Sequence, residues 1–212
     1  MVEAFLAAVE VDVLIAATDQ DHRTETRRGG IRNFLDVAEI RNLAGSHKVR
    51  NLVEEILGPQ ARVVRGILFD KTAEANWKVP WHQDVTIAVR DRVEAEGFGP
   101  WSVKAGIVHV QPPAAVMERM ISLRFHLDDC PEENGALRVI SRSHVNGKLG
   151  ELEVQAIAQR ADAVVCAMKR GGLLIMRPLL IHASSASTNP AHRRVIHLDF
   201  AAAALPDGME WA

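Results

Sequence analysis

The chain contains no tyrosine. Any polar anchor in a binding site must therefore come from Ser, Thr, Asn, Arg, Lys, His or Trp. Cysteine is almost as scarce: Cys130 and Cys166 are the two present, without metal-type spacing. A disulfide scaffold and a cysteine-built metal site are excluded, and two reduced thiols in a cytoplasm are the expectation. No apolar run approaches the roughly 18 residues of a membrane span. The start, Met1 to Glu10, carries glutamates and no basic residue, unlike a signal peptide. We expect a cytoplasmic protein with no membrane partner. A net charge of −2 gives no general attraction to nucleic acid or anionic lipid, and no nucleic-acid partner is expected.

What is present is ordinary in bulk. A chain of 212 residues, 48% apolar and 25% charged, can bury a full core. No repeat, low-complexity segment or linker divides it, so residues 1–212 read as one domain, helical to about residue 60 and β-rich from about 61 to about 204. Met1 to Thr18 is ambiguous: its spacing is helix-like in places, but Val9-Glu10-Val11-Asp12-Val13 alternates as a strand would. Thr18 to Gly30 is polar and ends in paired glycines, a surface loop. The arginines from Arg23 to Arg32 read as a solvated basic loop; the functional alternative is a lid or clamp for an anionic substrate.

Phe34 to Leu57 reads as two helices. The second carries Val49, Leu52, Val53, Ile56 and Leu57 on one stripe and stops at Gly58-Pro59. Ala61 to Phe69 then begins a series of short alternating runs, with strand candidates at Val103 to Val110, Met120 to Asp128, Ala136 to Ile140, Gly172 to Ile181 and Arg194 to Phe200. Gly147 to Lys169 is an excursion, part helical. Arg90 to Gly99 looks like an exposed loop able to order over a cavity. About seven or eight strands after a helical third predict a mainly β, α+β fold: a double-sheet jelly roll, cupin-like, with helices packed outside. Several strands pair a polar face with an apolar one, and polar faces turned toward a wet cavity avoid unpaired buried charge.

The chemistry is carried by Val79-Pro80-Trp81-His82-Gln83-Asp84. In an extended run, His82 and Asp84 share a face. A second histidine, His182, closes an apolar run, and Arg193 follows it. Two histidines and one carboxylate make the facial triad of non-haem Fe(II) oxygenases. An arginine can hold a distal carboxylate with a two-pronged salt bridge. His-x-Asp alone is weak, because the chain contains it three times: His82-Asp84, His126-Asp128 and His197-Asp199. The last follows every plausible distal histidine and cannot head the triad. His126-Asp128 is the serious competitor. Alternation also leaves open whether Arg193 or Arg194 points inward. Lys71 and Trp101 could line the pocket, and Arg124 and His126 are candidates for substrate contact.

As a set, the residues resemble the phytanoyl-CoA dioxygenase family of Fe(II)/2-oxoglutarate oxygenases. The matching pieces are Trp81-His82-Gln83-Asp84, Leu127-Asp128-Asp129, Glu133-Asn134-Gly135-Ala136-Leu137, Ser143-His144, Gly171, His182-Ala183-Ser184, Asn189 and Arg193-Arg194. They run in order from about Phe69 to Phe200. The chain departs from the family pattern at two turn positions, with Ser141-Arg142 before Ser143-His144, and Gly171-Gly172 leading into the distal strand. The resemblance implies a double-stranded β-helix, with His82, Asp84 and His182 as catalytic iron ligands. It also implies Arg193, assisted by Ser184, on the 2-oxoglutarate carboxylate. The implied reaction uses Fe(II), 2-oxoglutarate and O2 to hydroxylate a small molecule, releasing succinate. The rival readings are a metal-binding jelly-roll protein that is non-catalytic or independent of 2-oxoglutarate, and a halogenase, against which Asp84 fills the position a halide needs.

Overall fold

A computed structural model of the chain describes residues 1–21 and 30–212. Most of the basic loop anticipated from Arg23 to Arg32 lies outside the described residues; Arg32 lies within them.

The N-terminal third is helical, with α1 at Ala8–Gln20, α2 at Ala38–Gly45 and α3 at His47–Leu57. The ambiguity at Val9 to Val13 resolves by helical phase. Val11, Leu14 and Thr18 are buried, a spacing of three and four, whereas Val9 and Val13 are 68% and 53% exposed. The Glu10 carboxylate accepts the Ala7 amide at 2.8 Å and so satisfies one free donor of the first turn. α3 ends at Gly58, whose φ of +89° favours glycine and whose amide donates to the Glu54 carbonyl at 2.8 Å.

The strands are β1 Arg62–Lys71, β2 Val79–His82, β3 Ile87–Val89, β4 Trp101–Lys104, β5 Ile107–Val110, β6 Met120–His126, β7 Leu137–Ile140, β8 Ala163–Cys166, β9 Leu173–Met176, β10 His182–Ser184 and β11 Arg193–Ala201. Two short helices interrupt them, α4 at Ala114–Glu118 and α5 at Glu151–Arg160. They form antiparallel sheets in the orders β1-β11-β6-β9, β2-β10-β7-β8 and β3-β5-β4. The fold is therefore mixed α+β with several antiparallel sheets. Among the described residues no helix is long and apolar enough to cross a membrane.

The first sheet is covered on both sides, unlike a half-exposed antiparallel sheet. On its outer face Leu68, Ile121, Leu123, Phe125, Ile196, Leu198 and Phe200 join the helical residues Val11, Leu14, Ile40, Val49 and Val53 in one core. Gly66 has no side chain because Leu35 presses on it: a Cβ there would meet the Leu35 Cγ at 2.9 Å. The inner face carries the polar groups, and the register stacks them in layers. Lys71 lies opposite Arg193, Phe69 opposite Val195, Ile67 opposite His197 and Arg65 opposite Asp199. On the other side of β11, Val195 faces His126, His197 faces Arg124 and Asp199 faces Ser122.

Four expectations are corrected. Val103 to Val110 is not one strand but the β4–β5 hairpin, turned at Ala105 and Gly106 with φ of +50° and +79°. Such a turn usually declares itself as Asn-Gly or Asp-Gly, and Ala-Gly does not. Gly172 to Ile181 is likewise two pieces. β9 stops before Pro178, which lacks an amide to donate, and the chain crosses to the second sheet. His182 thus begins β10 instead of ending an apolar strand. β6 ends at His126, so Asp128 does not continue its inner face. The extended run expected to carry both His82 and Asp84 ends at His82, where β2 stops, and Asp84 lies before β3 begins at Ile87. Gly147 to Lys169 contains α5 followed by β8, the edge strand of the second sheet. Arg90 to Gly99 contains no strand or helix, and Arg90 pairs with the exposed Glu210 at 2.5 Å.

Candidate metal centre

β2 and β10 are antiparallel neighbours in the second sheet, and their register sets His82 directly opposite His182. The two rings lie 4.2 Å apart between centroids, tilted by 48°. Each ring is oriented by the backbone of its own strand. His82 Nδ1 donates to the Pro80 carbonyl at 2.9 Å, and His182 Nδ1 to the Leu180 carbonyl at 2.8 Å. A carbonyl oxygen can only accept, so Nδ1 carries the proton in both rings and Nε2 keeps its lone pair. Both Nε2 atoms face Asp84, at 3.8 Å from His82 to Oδ1 and 3.6 Å from His182 to Oδ2. One ligand atom from each of His82, Asp84 and His182 falls within a span of 4.8 Å.

The segment beyond β2 is held firmly although it is not a strand. Gln83 is buried; its amide nitrogen donates to the Gly147 and Leu179 carbonyls at 2.8 and 2.7 Å, and its oxygen accepts the Leu149 amide at 2.8 Å. The Asp84 amide donates to the Pro178 carbonyl at 3.0 Å. Gln155 on α5 donates to the Trp81 carbonyl at 3.1 Å, and Ser143 accepts the Ile181 amide at 2.8 Å. The turn at Ser143–Asn146 and α5 thus brace the two histidine strands. Burial pushes His182 down to about 4, against the pull of Asp84, so its imidazole is neutral at pH 7 and free to ligate. Burial works to raise Asp84, but His182, His197 and Arg65 outweigh it and keep the carboxylate ionised.

Two residues past His182, Ser184 leads to a basic end of the same cavity. Lys71 Nζ donates to Ser184 Oγ at 3.0 Å and to the Ser185 carbonyl at 2.6 Å. Arg193 is buried beside it, with Nη1 donating to the Gly135 carbonyl and Nε without a partner among the described residues. Burial, then the charge of Arg193, lowers the Lys71 ammonium to about 7. Arg194 points the other way, with Nη2 on Asp128 Oδ1 at 2.9 Å. The ambiguity between the two arginines is therefore settled in favour of Arg193 as the one in the cavity.

The three His-x-Asp pairs separate just as clearly. Asp128 is engaged by the Arg194 side chain and by its amide at 2.8 Å, so it does not meet His126 at a common site. His126 is buried on the inner face with neither ring nitrogen bonded among the described residues, and burial pushes it down to about 3, leaving it neutral. His197 and Asp199 belong to a buried network. Asp199 accepts Arg65 Nε at 2.5 Å, Ser122 Oγ at 2.6 Å and His197 Nε2 at 2.9 Å. Arg124, which has only donors, gives Nη1 to His197 Nδ1 at 2.9 Å, and its guanidinium lies 5.3 Å from the Phe69 ring centre.

The cavity has a volume of about 360 Å³ and contains the triad, Ser184, Arg193 and Arg124 on its walls. Lys71 and Trp101 are both absent from the walls: Lys71 is buried behind Ser184, which does line the cavity, and Trp101 packs in the apolar cluster beneath the third sheet, with Arg92 over its ring. Arg32, the last arginine of the basic loop for which a clamp role was weighed, lines the cavity, as do Arg65, Lys104 and His109, which sequence reasoning did not single out. In β1 the signal was present as inward odd positions, but Arg65 and Lys71 there enclose the apolar Ile67 and Phe69. That mixture hid the polar face.

Solved structures share this architecture. The chain superposes on AviO1 from Streptomyces viridochromogenes Tue57 with a TM-score of 0.66 and 20% identity, covering 96% of this chain and 89% of that one. HygX from Streptomyces hygroscopicus, in a crystal with nickel and 2-oxoglutarate bound, gives a TM-score of 0.66 and 12% identity, covering 94% of this chain and 81% of that one. A curated protein described as nicotinate phosphoribosyltransferase, from Bos taurus, is 32% identical over 124 residues. That match is 50% of this chain and only 23% of the bovine protein, so this chain spans less than a quarter of that relative. The sequence matches the family described as phytanoyl-CoA dioxygenase (PhyH) over residues 1–195. With nearly the whole chain matched, and a two-histidine, one-aspartate cluster in the cavity, the protein belongs to the phytanoyl-CoA dioxygenase family.

Proposed function

We propose that the protein is an Fe(II)/2-oxoglutarate-dependent dioxygenase that hydroxylates a small molecule. Residues 1–212 act as one domain, in which the two four-stranded sheets close as a double-stranded β-helix. The carrying observation is the pair of histidine rings whose Nδ1 protons are fixed on backbone carbonyls, so that both Nε2 lone pairs face the Asp84 carboxylate. Backbone carbonyls in this role are typical of metal-ligating histidines, because they set the tautomer before the metal arrives. Two imidazoles and one carboxylate suit a ferrous ion and leave positions open.

The residues present also fit 2-oxoglutarate. Arg193 keeps a buried Nε without a partner, and Lys71 and Ser184 adjoin it. A distal carboxylate would take a two-pronged bond from Arg193 and further bonds from Lys71 and Ser184. When bound, iron, oxygen and 2-oxoglutarate supply the oxidising chemistry, with 2-oxoglutarate leaving as succinate and carbon dioxide. The chain's own work is positional. His82, Asp84 and His182 would hold the metal. Arg193 orients the co-substrate. Arg124 borders the same space and supplies charge, whereas the neutral His126, expected beside it, lies on the inner face of β6 but not on the cavity wall. Phe69, Ile67, Val79 and Leu137 keep the walls apolar and limit water.

Purified protein supplied with Fe(II) should convert 2-oxoglutarate slowly to succinate even without its substrate. Arg193→Leu should raise the apparent constant for 2-oxoglutarate by on the order of tenfold to a hundredfold, the worth of a charge-assisted bond, with iron still bound. Unchanged turnover in that variant rejects the assigned role. Tight iron binding with no succinate under any condition favours a metal-binding protein that does not use 2-oxoglutarate.

A further inference from the structure

The cavity carries more positive charge than one co-substrate can use, and that charge is divided between two ends. Lys71 and Arg193 pair at one end of the β1–β11 register, and Arg65 and Asp199 near the other. Lys71 and Arg65 are thus roughly 20 Å apart along β1, at about 3.3 Å per residue. The metal cluster lies between. Ser184, two residues beyond His182, touches Lys71, whereas Arg65 donates at 3.3 Å to the carbonyl of Thr86, two residues beyond Asp84.

At the Arg65 end the cavity is lined by Arg32, Lys104 and His109. Asp199 neutralises Arg65 directly, at 2.5 Å. Among the described residues neither Arg32 nor Lys104 has a carboxylate partner. Lys104 closes β4 at the β4–β5 turn, and His109 comes from the inner part of β5. Arg32, Arg65 and His109 also border an adjoining cavity of about 180 Å³, whose acidic wall residue is Asp36. Arg32 and Lys104 are each held below their ordinary values, first by burial and then by neighbouring positive charge, Arg65 on Arg32 and both arginines on Lys104. Asp84 offsets only part of this at Lys104; like charges packed this closely are costly, and a bound anion relieves the cost.

We infer that the primary substrate is itself an acid, whose carboxylate or phosphate group is held by Arg32 and Lys104 on the far side of the metal from Arg193. The remainder of the substrate then reaches from this anchor toward His82, Asp84 and His182, and the adjoining cavity takes any extension beyond it. His109 borders the same end, but its Nδ1 proton is committed to the Ile107 carbonyl at 3.0 Å, so the anchor is left to Arg32 and Lys104. This assignment rests on the reading of the Arg193 end as the 2-oxoglutarate pocket, because only then is the Arg32 end left for something else.

The test uses the whole protein loaded anaerobically with Fe(II) and saturating 2-oxoglutarate. The metal-to-ligand charge-transfer band is monitored, and binding is measured by isothermal titration. The probes are 3-phenylpropionate, phenyl phosphate and the neutral 3-phenylpropan-1-ol. At least one acid should shift the band and bind about tenfold or more tighter than the alcohol, and the better acid names the anion. The Arg32→Gln/Lys104→Gln double variant should lose that discrimination, and the charge-preserving Arg32→Lys/Lys104→Arg pair should keep most of it. Acids that bind no better than the alcohol to the wild-type protein overturn the inference without recourse to any variant. So does a double glutamine variant that discriminates as well as wild type. A band that never forms overturns the co-substrate reading, and the inference with it.

Discussion

Asp199→Asn isolates the charge at the bottom of the inner face without opening a cavity. Asp199 is 1% exposed and accepts bonds from Arg65, Ser122 and His197. Burial alone would raise its pKa. The Arg65 charge, then His197 and Ser122, hold it well below the usual carboxylate range. The amide variant removes the charge that compensates Arg65 directly, leaving neutral acceptors such as the Thr86 carbonyl and the more distant charge of Asp84. Leaving one member of a buried pair uncompensated costs about 3–5 kcal/mol. The Arg65 side chain retains 16% exposure at the cavity wall, so the lower part of that range applies, about 3 kcal/mol. At roughly 2–4 °C per kcal/mol for a chain of this size, the melting temperature should fall by about 6–12 °C. Urea denaturation of metal-free protein at pH 7 measures the free energy, and calorimetry the temperature. The sign with pH follows from the depressed pKa: the contribution is complete above about pH 4, the ordinary carboxylate value, and fades below it. The difference between variant and wild type should therefore be flat from about pH 5 to 7. A loss under about 1 kcal/mol, or a difference that grows steadily across that window, refutes the reasoning.

On the proposed reading, Lys71 should make 2-oxoglutarate binding sensitive to pH. Its pKa of about 7 means that charge is lost as pH rises through neutrality, so affinity for the dianion should fall above that point by up to about tenfold per pH unit. Calorimetric titration of metal-loaded Lys71→Met should give weaker binding at about pH 6 and a flat profile, and a flat wild-type profile would reject the idea. Gly135→Ala should destabilise the protein by about 2 kcal/mol in urea denaturation, the usual cost of local backbone strain. The added Cβ would stand 2.5 Å from the Ser185 carbonyl oxygen at a φ of +67°. Because the Gly135 carbonyl anchors Arg193, the same variant should also bind 2-oxoglutarate more weakly, and an unchanged affinity would show that this anchor does not position the arginine.

The ligand set was legible because its parts obey short-range rules. His82 and Asp84 are close enough in sequence that any extended backbone brings them together, and His182 and Arg193 follow in the order that the family resemblance requires. What could not be read was phase and ending. Arg193 and Arg194 alternate, and nothing local decides which is inward. The decision comes from long-range register, which places Arg193 opposite Lys71 and lets Arg194 fold back on Asp128. The competitor His126-Asp128 failed for the same kind of reason: β6 stops at His126, and the aspartate turns outward. The helices of the N-terminal third were visible from Phe34 to Leu57 because their apolar stripes are long. Val9 to Val13 was not, because alternation over five residues fits either period until Leu14 and Thr18 are seen to be buried with Val11. The basic far end of the cavity was the hardest to see. Arg32, Arg65, Lys104 and His109 come from separate segments and meet only in three dimensions.

The assignment of the iron site is tested most directly by one anaerobic titration. Fe(II) and 2-oxoglutarate are added to the wild type, Asp84→Ala and Asp128→Ala, and the metal-to-ligand charge-transfer band is followed. Asp84→Ala removes the carboxylate that both Nε2 atoms face, so the band and tight iron binding should be lost. Asp128→Ala removes only a partner of Arg194, so iron binding should stay within a few-fold of wild type. If Asp128→Ala loses the band and Asp84→Ala keeps it, the site belongs to His126 and Asp128 and the assignment made here is wrong.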